Sequence, residues 1–411
     1  PMIESVRLLR VGGAEIDQHR DGISINQWLP RLAAAVGAFD RSQPPAAGSR
    51  PRPAPTPPGT TTAWPCWAWC WAARWGVGMA DLLPVHGGTD ALGAAPHDFS
   101  TNSNACGPCP AALAAVQQAD ATRYPDPAYT DLRAQLAAFH GVEAARIVLA
   151  GSASEFIHRI TALAAQRGVR AVAVPPHGYG DYAQAARARS LAVHTEPHAT
   201  AGLHWACEPS SPLGQADAAL AAWPAAGDPA QTLRVLDCAY QPLRLHTHPA
   251  PPPTCWQLWS PNKALGLTGV RAAYAIAPQG ADADAADLAA LAPSWPTGAH
   301  GVALLQAWVQ PTTQQWLADG LPRLREWKHR QIALCTALGW QVLPGSQANY
   351  FCARPPVADL PALLHALRVQ GIKLRDCASF GLPGVVRMGV LALESQDALH
   401  QAWERFAAVA A

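Results

Sequence analysis

Charge is scarce in this 411-residue chain: Asp, Glu, Lys and Arg make up 14% of it, and the two signs nearly cancel to a formal net charge of +1. The basic residues are scattered, so the chain lacks the clustered positive face that a nucleic-acid partner requires. Ten cysteines occur without a repeating spacing, which argues against a disulfide scaffold and, with no signal-peptide pattern, for a reducing compartment. The expectation is a cytoplasmic protein. Cys106-Gly-Pro-Cys109 has redox-motif spacing but lies in a loop without thioredoxin element order, so neither a redox nor a metal role is assigned to it. Apolar runs stay short of membrane-spanning length; the Trp-rich patch from Trp64 to Trp71 is cut off at Arg74.

What is present describes a core-forming protein: 49% of residues are hydrophobic, and the length suffices for a large domain plus a smaller one. Residues 1–78 differ from the rest, with a Pro-rich run from Pro44 to Pro58 that forms neither helix nor central strand. They are expected to be an upstream extension, with Met79 as the natural start; the alternative is a real but poorly structured arm. From Ala128 onward, helical stretches at Ala128–Phe139, Ser154–Gln166 and Gln215–Trp223 alternate with short apolar runs at Arg146–Ala150, Ala171–Val174, Leu203–Ala206 and Arg234–Leu236. This spacing predicts a mostly parallel sheet covered by helices, with ligands beyond the carboxyl ends of the strands. The segment from about Ala281 reads as helical, with Trp308, Trp316 and Trp327 in core positions.

Several residues at those predicted strand ends carry chemistry. Gly151-Ser-Ala-Ser-Glu155 leads into a helix, so Ser152, Ala153 and Ser154 would present hydroxyls and free N–H groups to a phosphate; an N-cap by Ser154 is equally consistent. Asp237 ends an apolar run. Ser260-Pro-Asn-Lys-Ala-Leu-Gly-Leu-Thr-Gly-Val-Arg271 sets Lys263 in a Gly-broken turn between two apolar runs, with Ser260 and Arg271 able to anchor a phosphate. A lysine so placed can condense with an anchored aldehyde.

That lysine segment resembles the one in the aspartate aminotransferase superfamily, fold type I of the pyridoxal-phosphate enzymes. The arginine follows the lysine by 271 − 263 = 8 positions, as it does there. The resemblance implies an α/β fold with a mostly parallel seven-stranded sheet in a large domain (123–285), a smaller α+β domain (286–411) and an N-terminal segment (79–122) joining the latter. It also implies pyridoxal 5'-phosphate as cofactor, with Lys263 catalytic. Asp237-Cys-Ala-Tyr240 matches D-x-A-Y, which implies that Asp237 faces the pyridine nitrogen and Tyr240 the phenolic oxygen. Tyr179, in Pro176-His-Gly-Tyr-Gly-Asp-Tyr182, matches the tyrosine that stacks on the ring. Ser211 stands where the family has an asparagine on the phenolic oxygen. Tyr124, in Arg123-Tyr-Pro-Asp-Pro127, matches the tyrosine that reaches the neighbouring subunit's cofactor phosphate, which implies a homodimer with shared sites.

Three further motifs narrow the resemblance. His86-Gly-Gly88, Asp98-Phe-Ser-Thr-Asn102 and the run from Arg375 to Arg387 are similar to L-threonine-O-3-phosphate decarboxylases of cobalamin biosynthesis. In that branch the matching positions touch substrate, which implies such a role for His86, Gly87 and Asn102. Arg387 would hold the carboxylate and Arg375 the phosphate, although Arg375 alone reads equally as a surface residue. Where the family writes Asn-Pro this chain has Asn104-Ala-Cys106. The implied reaction is decarboxylation of threonine phosphate to (R)-1-amino-2-propanol O-2-phosphate, with Lys263 returning a proton to Cα. The alternative is a histidinol-phosphate-type aminotransferase, and a non-catalytic relative is the third reading.

Overall fold

The computed structural model describes residues 87–410 apart from 197, 199, 224–231 and 248–249. His86 and the extension expected over 1–78 lie outside the described residues. Those described belong to one unit running from Gly78 to Ala411.

Seven strands form the main sheet: β2 (Ile147–Ala150), β3 (Ala171–Ala173), β4 (Ala192–His194), β5 (Leu203–Cys207), β6 (Leu233–Asp237), β7 (Trp256–Trp259) and β8 (Ala273–Ile276). Their spatial order is β2-β8-β7-β6-β5-β3-β4. Neighbours from β7 to β4 run parallel, while β8 is antiparallel to both β7 and β2. β2, β3 and β8 are buried along their whole length, as expected when both faces of a sheet are covered. Alternate residues divide between two cores: Ile147, Leu149, Leu236 and Tyr274 pack on one face, Val148, Ala150, Val235 and Ala273 on the other.

The covering helices depart from the sequence pattern in instructive places. The helix expected from Ser154 runs Ala153–Gln166, and its cap is Ser152, not Ser154: extended backbone at Ser152 lets its hydroxyl accept the Glu155 N–H at 3.1 Å. The stretch expected over Gln215–Trp223 is helical only at Ala218–Ala222; the helix starts at Asp217, whose backbone is extended and whose carboxylate caps it by accepting the Ala219 N–H at 2.8 Å. Edge strand β4 was not expected from the pattern.

Beyond Ala281 the chain is not uniformly helical. Helices Asp282–Ala290, Ala299–Trp308 and Pro311–Ala337 are followed by a four-stranded antiparallel sheet of β9 (Gln341–Val342), β10 (Tyr350–Arg354), β12 (Arg375–Asp376) and β13 (Val386–Gly389), in the order β12-β13-β10-β9. Helices Leu360–Val369 and Leu393–Ala410 complete this region, whose core includes Phe351, Leu363, Leu367 and Met388. Trp308 is buried, and Trp316 and Trp327 pack partly buried against the same core. At the other end, β1 (His97–Asp98) pairs in parallel with β11 (Ile372–Lys373), which ties the start of the described chain to this region.

Candidate active site

The parallel strands end side by side, with Cys207 of β5 paired in register with Asp237 of β6. Asp237 is buried; its Oδ1 accepts the Ala239 N–H at 2.9 Å and its Oδ2 the Tyr182 hydroxyl at 2.7 Å. Burial pushes its carboxyl above the ordinary range, opposed by those two donors and by the charge of Lys263. Just beyond the strand, the Tyr240 ring lies 5.3 Å from the Lys263 ammonium. The Tyr240 hydroxyl accepts from the Asn102 amide at 3.3 Å, leaving its own proton to donate elsewhere.

Lys263 is half-buried on the turn after β7, and its loop is held from outside by the segment from Asn104 to Cys109, to which the sequence motifs assign no role. The Asn104 N–H donates to the Lys263 carbonyl at 2.9 Å, the Asn104 amide to the Ala264 carbonyl at 3.0 Å, and the Cys109 N–H to the Leu265 carbonyl at 2.8 Å. Within the loop, the Asn262 side chain accepts the Lys263 N–H at 3.0 Å. Gly266 adopts φ +70°, and a Cβ there would lie 3.0 Å from the Pro108 Cα, so only glycine permits this contact. Cys106-Gly-Pro-Cys109 is thus scaffolding beneath the lysine, and among the described residues no cluster could hold a metal ion.

Two loops carry polar groups suited to a phosphate. The helix Ala153–Gln166 presents its N-terminus with Ser152 and Ser154, and the Ser154 and Tyr179 hydroxyls are 3.3 Å apart. Burial raises the Tyr179 phenol, which stays neutral. The Ser260 hydroxyl is buried with no hydrogen-bond partner among the described residues, an unmet requirement that a bound phosphate would satisfy. Arg271 is exposed at the loop's end. Pyridoxal phosphate fits this set: a helix N-terminus and an unpartnered serine for its phosphate, a buried carboxylate for its ring nitrogen and Lys263 for its aldehyde. When bound it supplies an electron-withdrawing ring that stabilises negative charge at the substrate Cα.

The smaller sheet supplies two arginines. Arg375 of β12 and Arg387 of β13 are direct cross-strand partners and both are buried. Like charges placed opposite one another oppose folding unless something anionic joins them. The Arg387 guanidinium donates to the Ser100 carbonyl at 3.0 Å and to the Ser211 hydroxyl at 3.2 Å, while its buried Nε has no partner among the described residues. Arg375 donates to the Ser379 hydroxyl at 2.7 Å, and burial, then the nearby Arg387, lowers its pKa. The Phe380 ring lies 4.8 Å from the Arg375 guanidinium and 5.7 Å from that of Arg387. Ser211 therefore contacts an arginine, a partner its place in the sequence did not suggest.

The segment holding Asn102 is folded by its own motif: Asp98 Oδ1 accepts the Ser100 N–H at 2.9 Å, and Oδ2 accepts the Thr101 hydroxyl at 2.8 Å. Gly87 packs so closely that a Cβ would meet the Ser100 carbonyl oxygen at 2.2 Å, and the Gly88 N–H donates to the Ser100 hydroxyl at 2.9 Å. Lys328, buried in the long helix Pro311–Ala337, was missed from the sequence; its ammonium donates to the Ser346 and Ala348 carbonyls at 2.7 and 2.8 Å, fixing the turn before β10. Tyr124 is 76% exposed and stacks on Trp295 with ring centroids 4.3 Å apart, remote in character from the buried cluster around Lys263.

Comparison with known proteins agrees with this architecture. Over 336 residues the chain is 29% identical to histidinol-phosphate aminotransferase 1 of Thiobacillus denitrificans, covering 73% of this chain and 83% of the relative. The crystal structure of histidinol-phosphate aminotransferase from Clostridium acetobutylicum superposes with a TM-score of 0.65 at 17% identity, over 75% of this chain and 98% of that one. The L-threonine-O-3-phosphate decarboxylase from Porphyromonas gingivalis gives 0.59 at 22% identity, over 72% and 92%. Residues 96–214 and 235–406 match the family model for class I and II aminotransferases. With its seven-stranded, mostly parallel sheet and the lysine loop between β7 and β8, the chain belongs to the class I and II aminotransferase family, whose cofactor is pyridoxal phosphate.

Proposed function

We propose that this chain is an aminotransferase of the histidinol-phosphate type, exchanging an amino group between a phosphorylated amino compound and a 2-oxo acid. The observation that carries the choice of a phosphorylated substrate is Arg387, which is buried on the smaller sheet opposite Arg375 and whose buried Nε has no partner among the described residues and needs an acceptor. A phosphate monoester meets that need through charge-assisted, fork-shaped contacts. The names of the relatives, histidinol-phosphate aminotransferases from several organisms, favour transamination over the decarboxylation expected from the motifs.

In this reading Arg387 and Arg375 bind the substrate anion, and Asn102 lies between substrate and the Tyr240 hydroxyl. Lys263, half-buried beside Tyr240, moves the proton at the substrate Cα. Tyr124, exposed and stacked on Trp295, would reach a second copy in a homodimer with shared sites. Threonine-phosphate decarboxylation is the second reading, favoured by the Asp98–Asn102 turn and by the likeness to the Porphyromonas gingivalis structure.

The test is product analysis with two substrates. The purified protein loaded with pyridoxal phosphate is given histidinol phosphate with 2-oxoglutarate, and separately threonine phosphate without an acceptor. Glutamate formation in the first mixture is the expected result. Stoichiometric CO2 from the second, with no glutamate in the first, would replace the aminotransferase reading by the decarboxylase one.

A further inference from the structure

Tyr182 is the second tyrosine of Pro176-His-Gly-Tyr-Gly-Asp-Tyr182, where the resemblance assigned a role only to the first, Tyr179, and the proposed reaction leaves Tyr182 without one. It is completely buried in the helix Gly180–Ala188, and its ring stacks on Trp205 with centroids 4.5 Å apart and planes 11° from parallel. Its hydroxyl donates to Asp237 Oδ2 at 2.7 Å, and the other carboxylate oxygen is taken by the Ala239 N–H. Tyr182 thus reaches a carboxylate 237 − 182 = 55 residues away, with Trp205 fixing the plane of its ring.

We propose that Tyr182 is a positioning residue that keeps Asp237 anionic and aimed at the ring nitrogen of the bound cofactor. The proposal rests on the pyridoxal-phosphate reading of the site. A carboxylate and a ring nitrogen that share one proton compete for it, and the more basic partner keeps it. Burial alone makes Asp237 more basic, which would draw the proton away from the ring and weaken its pull on electrons. A hydrogen bond donated to the carboxylate works in the opposite direction, stabilising its charge. Tyr182 is suited to this because burial also raises its own phenol far above neutrality, so it donates its proton without losing it.

Tyr182→Phe removes only the oxygen and keeps the ring stacked on Trp205. In the loaded protein, loss of the ring's positive charge should make the pH midpoint of the visible-absorbance change rise by about one unit or more, the size expected for one charge-assisted hydrogen bond. In the cofactor-free protein, the pH at which Asp237 takes up its proton should rise by a similar amount, read from the infrared carboxyl band that Asp237→Asn abolishes. 3-Fluorotyrosine placed at position 182, a stronger donor of the same shape, should lower both midpoints and serves if the phenylalanine variant does not fold. Unchanged midpoints in these variants, or an equal absorbance shift from Tyr182→Phe in an Asp237→Asn background, would overturn the proposal. If wild type forms no visible band that Lys263→Ala removes, the cofactor reading fails, while the infrared measurement still decides whether Tyr182 governs Asp237.

Discussion

Replacing His140 by glutamine should remove much of the acid sensitivity of the cofactor-free fold. His140 is the last residue of the helix Thr130–His140, and its Nε2 lies 2.8 Å from the Tyr274 hydroxyl. The Trp308 indole N–H donates to that same hydroxyl at 3.1 Å, so the phenol directs its own proton at the imidazole, which must accept as a neutral ring. Burial pulls the His140 pKa down from 6.5 to about 4. Between those values the unfolded chain holds a proton that the folded chain refuses, so stability is fully present above pH 6.5 and declines as the pH falls toward 4. At about 1.4 kcal/mol per pH unit the decline amounts to roughly 3 kcal/mol across the window. The helix C-terminus favours a cation at His140, but by only about 0.3–1 kcal/mol, so burial decides the direction. Urea unfolding of the parent and His140→Gln at about pH 7.5, about pH 6 and about pH 5 measures the effect as a difference of slopes. The variant should lose stability at neutral pH through poorer packing yet show a flatter pH dependence. Parallel curves, with the same fall toward acid in both proteins, would refute the reasoning.

Three other outcomes are expected. Lys328→Met leaves the Ser346 and Ala348 carbonyls buried without their donor, and should cost about 2–5 kcal/mol in thermal or urea unfolding while raising KM for an anionic substrate through the displaced turn before β10. Gly266→Ala forces a positive φ and a contact with Pro108; stability should fall by about 1–3 kcal/mol, with slower cofactor loading followed by absorbance. Mixing inactive Lys263→Ala chains with severely impaired Tyr124→Phe chains should restore part of the activity if sites are shared between subunits, and no recovery would count against Tyr124 crossing to a partner.

Much of the architecture was legible because strands buried on both faces of a covered sheet announce themselves. Ile147–Ala150 and Ala273–Ile276 are unbroken apolar runs, and Asp237 and Lys263 stand where such runs stop. The smaller sheet was not legible for the opposite reason: β9 and β12 are two residues long, too short to show alternation, and β12 consists of Arg375 and Asp376. Side chains whose partners lie far along the chain also escaped. Tyr182, Asn104 and Lys328 find their partners only after folding, and a lysine in a helix otherwise reads as a solvated surface residue. Substrate choice was harder still, since Arg375 opposite Arg387 suits a phosphate monoester in either reaction.

The reversed strand β8 has a consequence for how the protein is made. β2 lies at the sheet edge with β8 as its neighbour, and Ile147 pairs with Ile276, a separation of 276 − 147 = 129 residues. At the usual pace of synthesis, about 5–20 residues per second, the growing chain waits about 6–25 s between making the strand and making its partner. During that interval Ile147-Val-Leu-Ala150 is an apolar strand with open hydrogen-bonding edges, the kind of segment that pairs with whatever strand it meets. The lysine loop is the last stretch translated before β8 and joins it to β7. Substitutions that disorder residues 260–271 would therefore lower the yield of soluble protein as well as its activity, and co-expression with a chaperone should recover the first loss without the second.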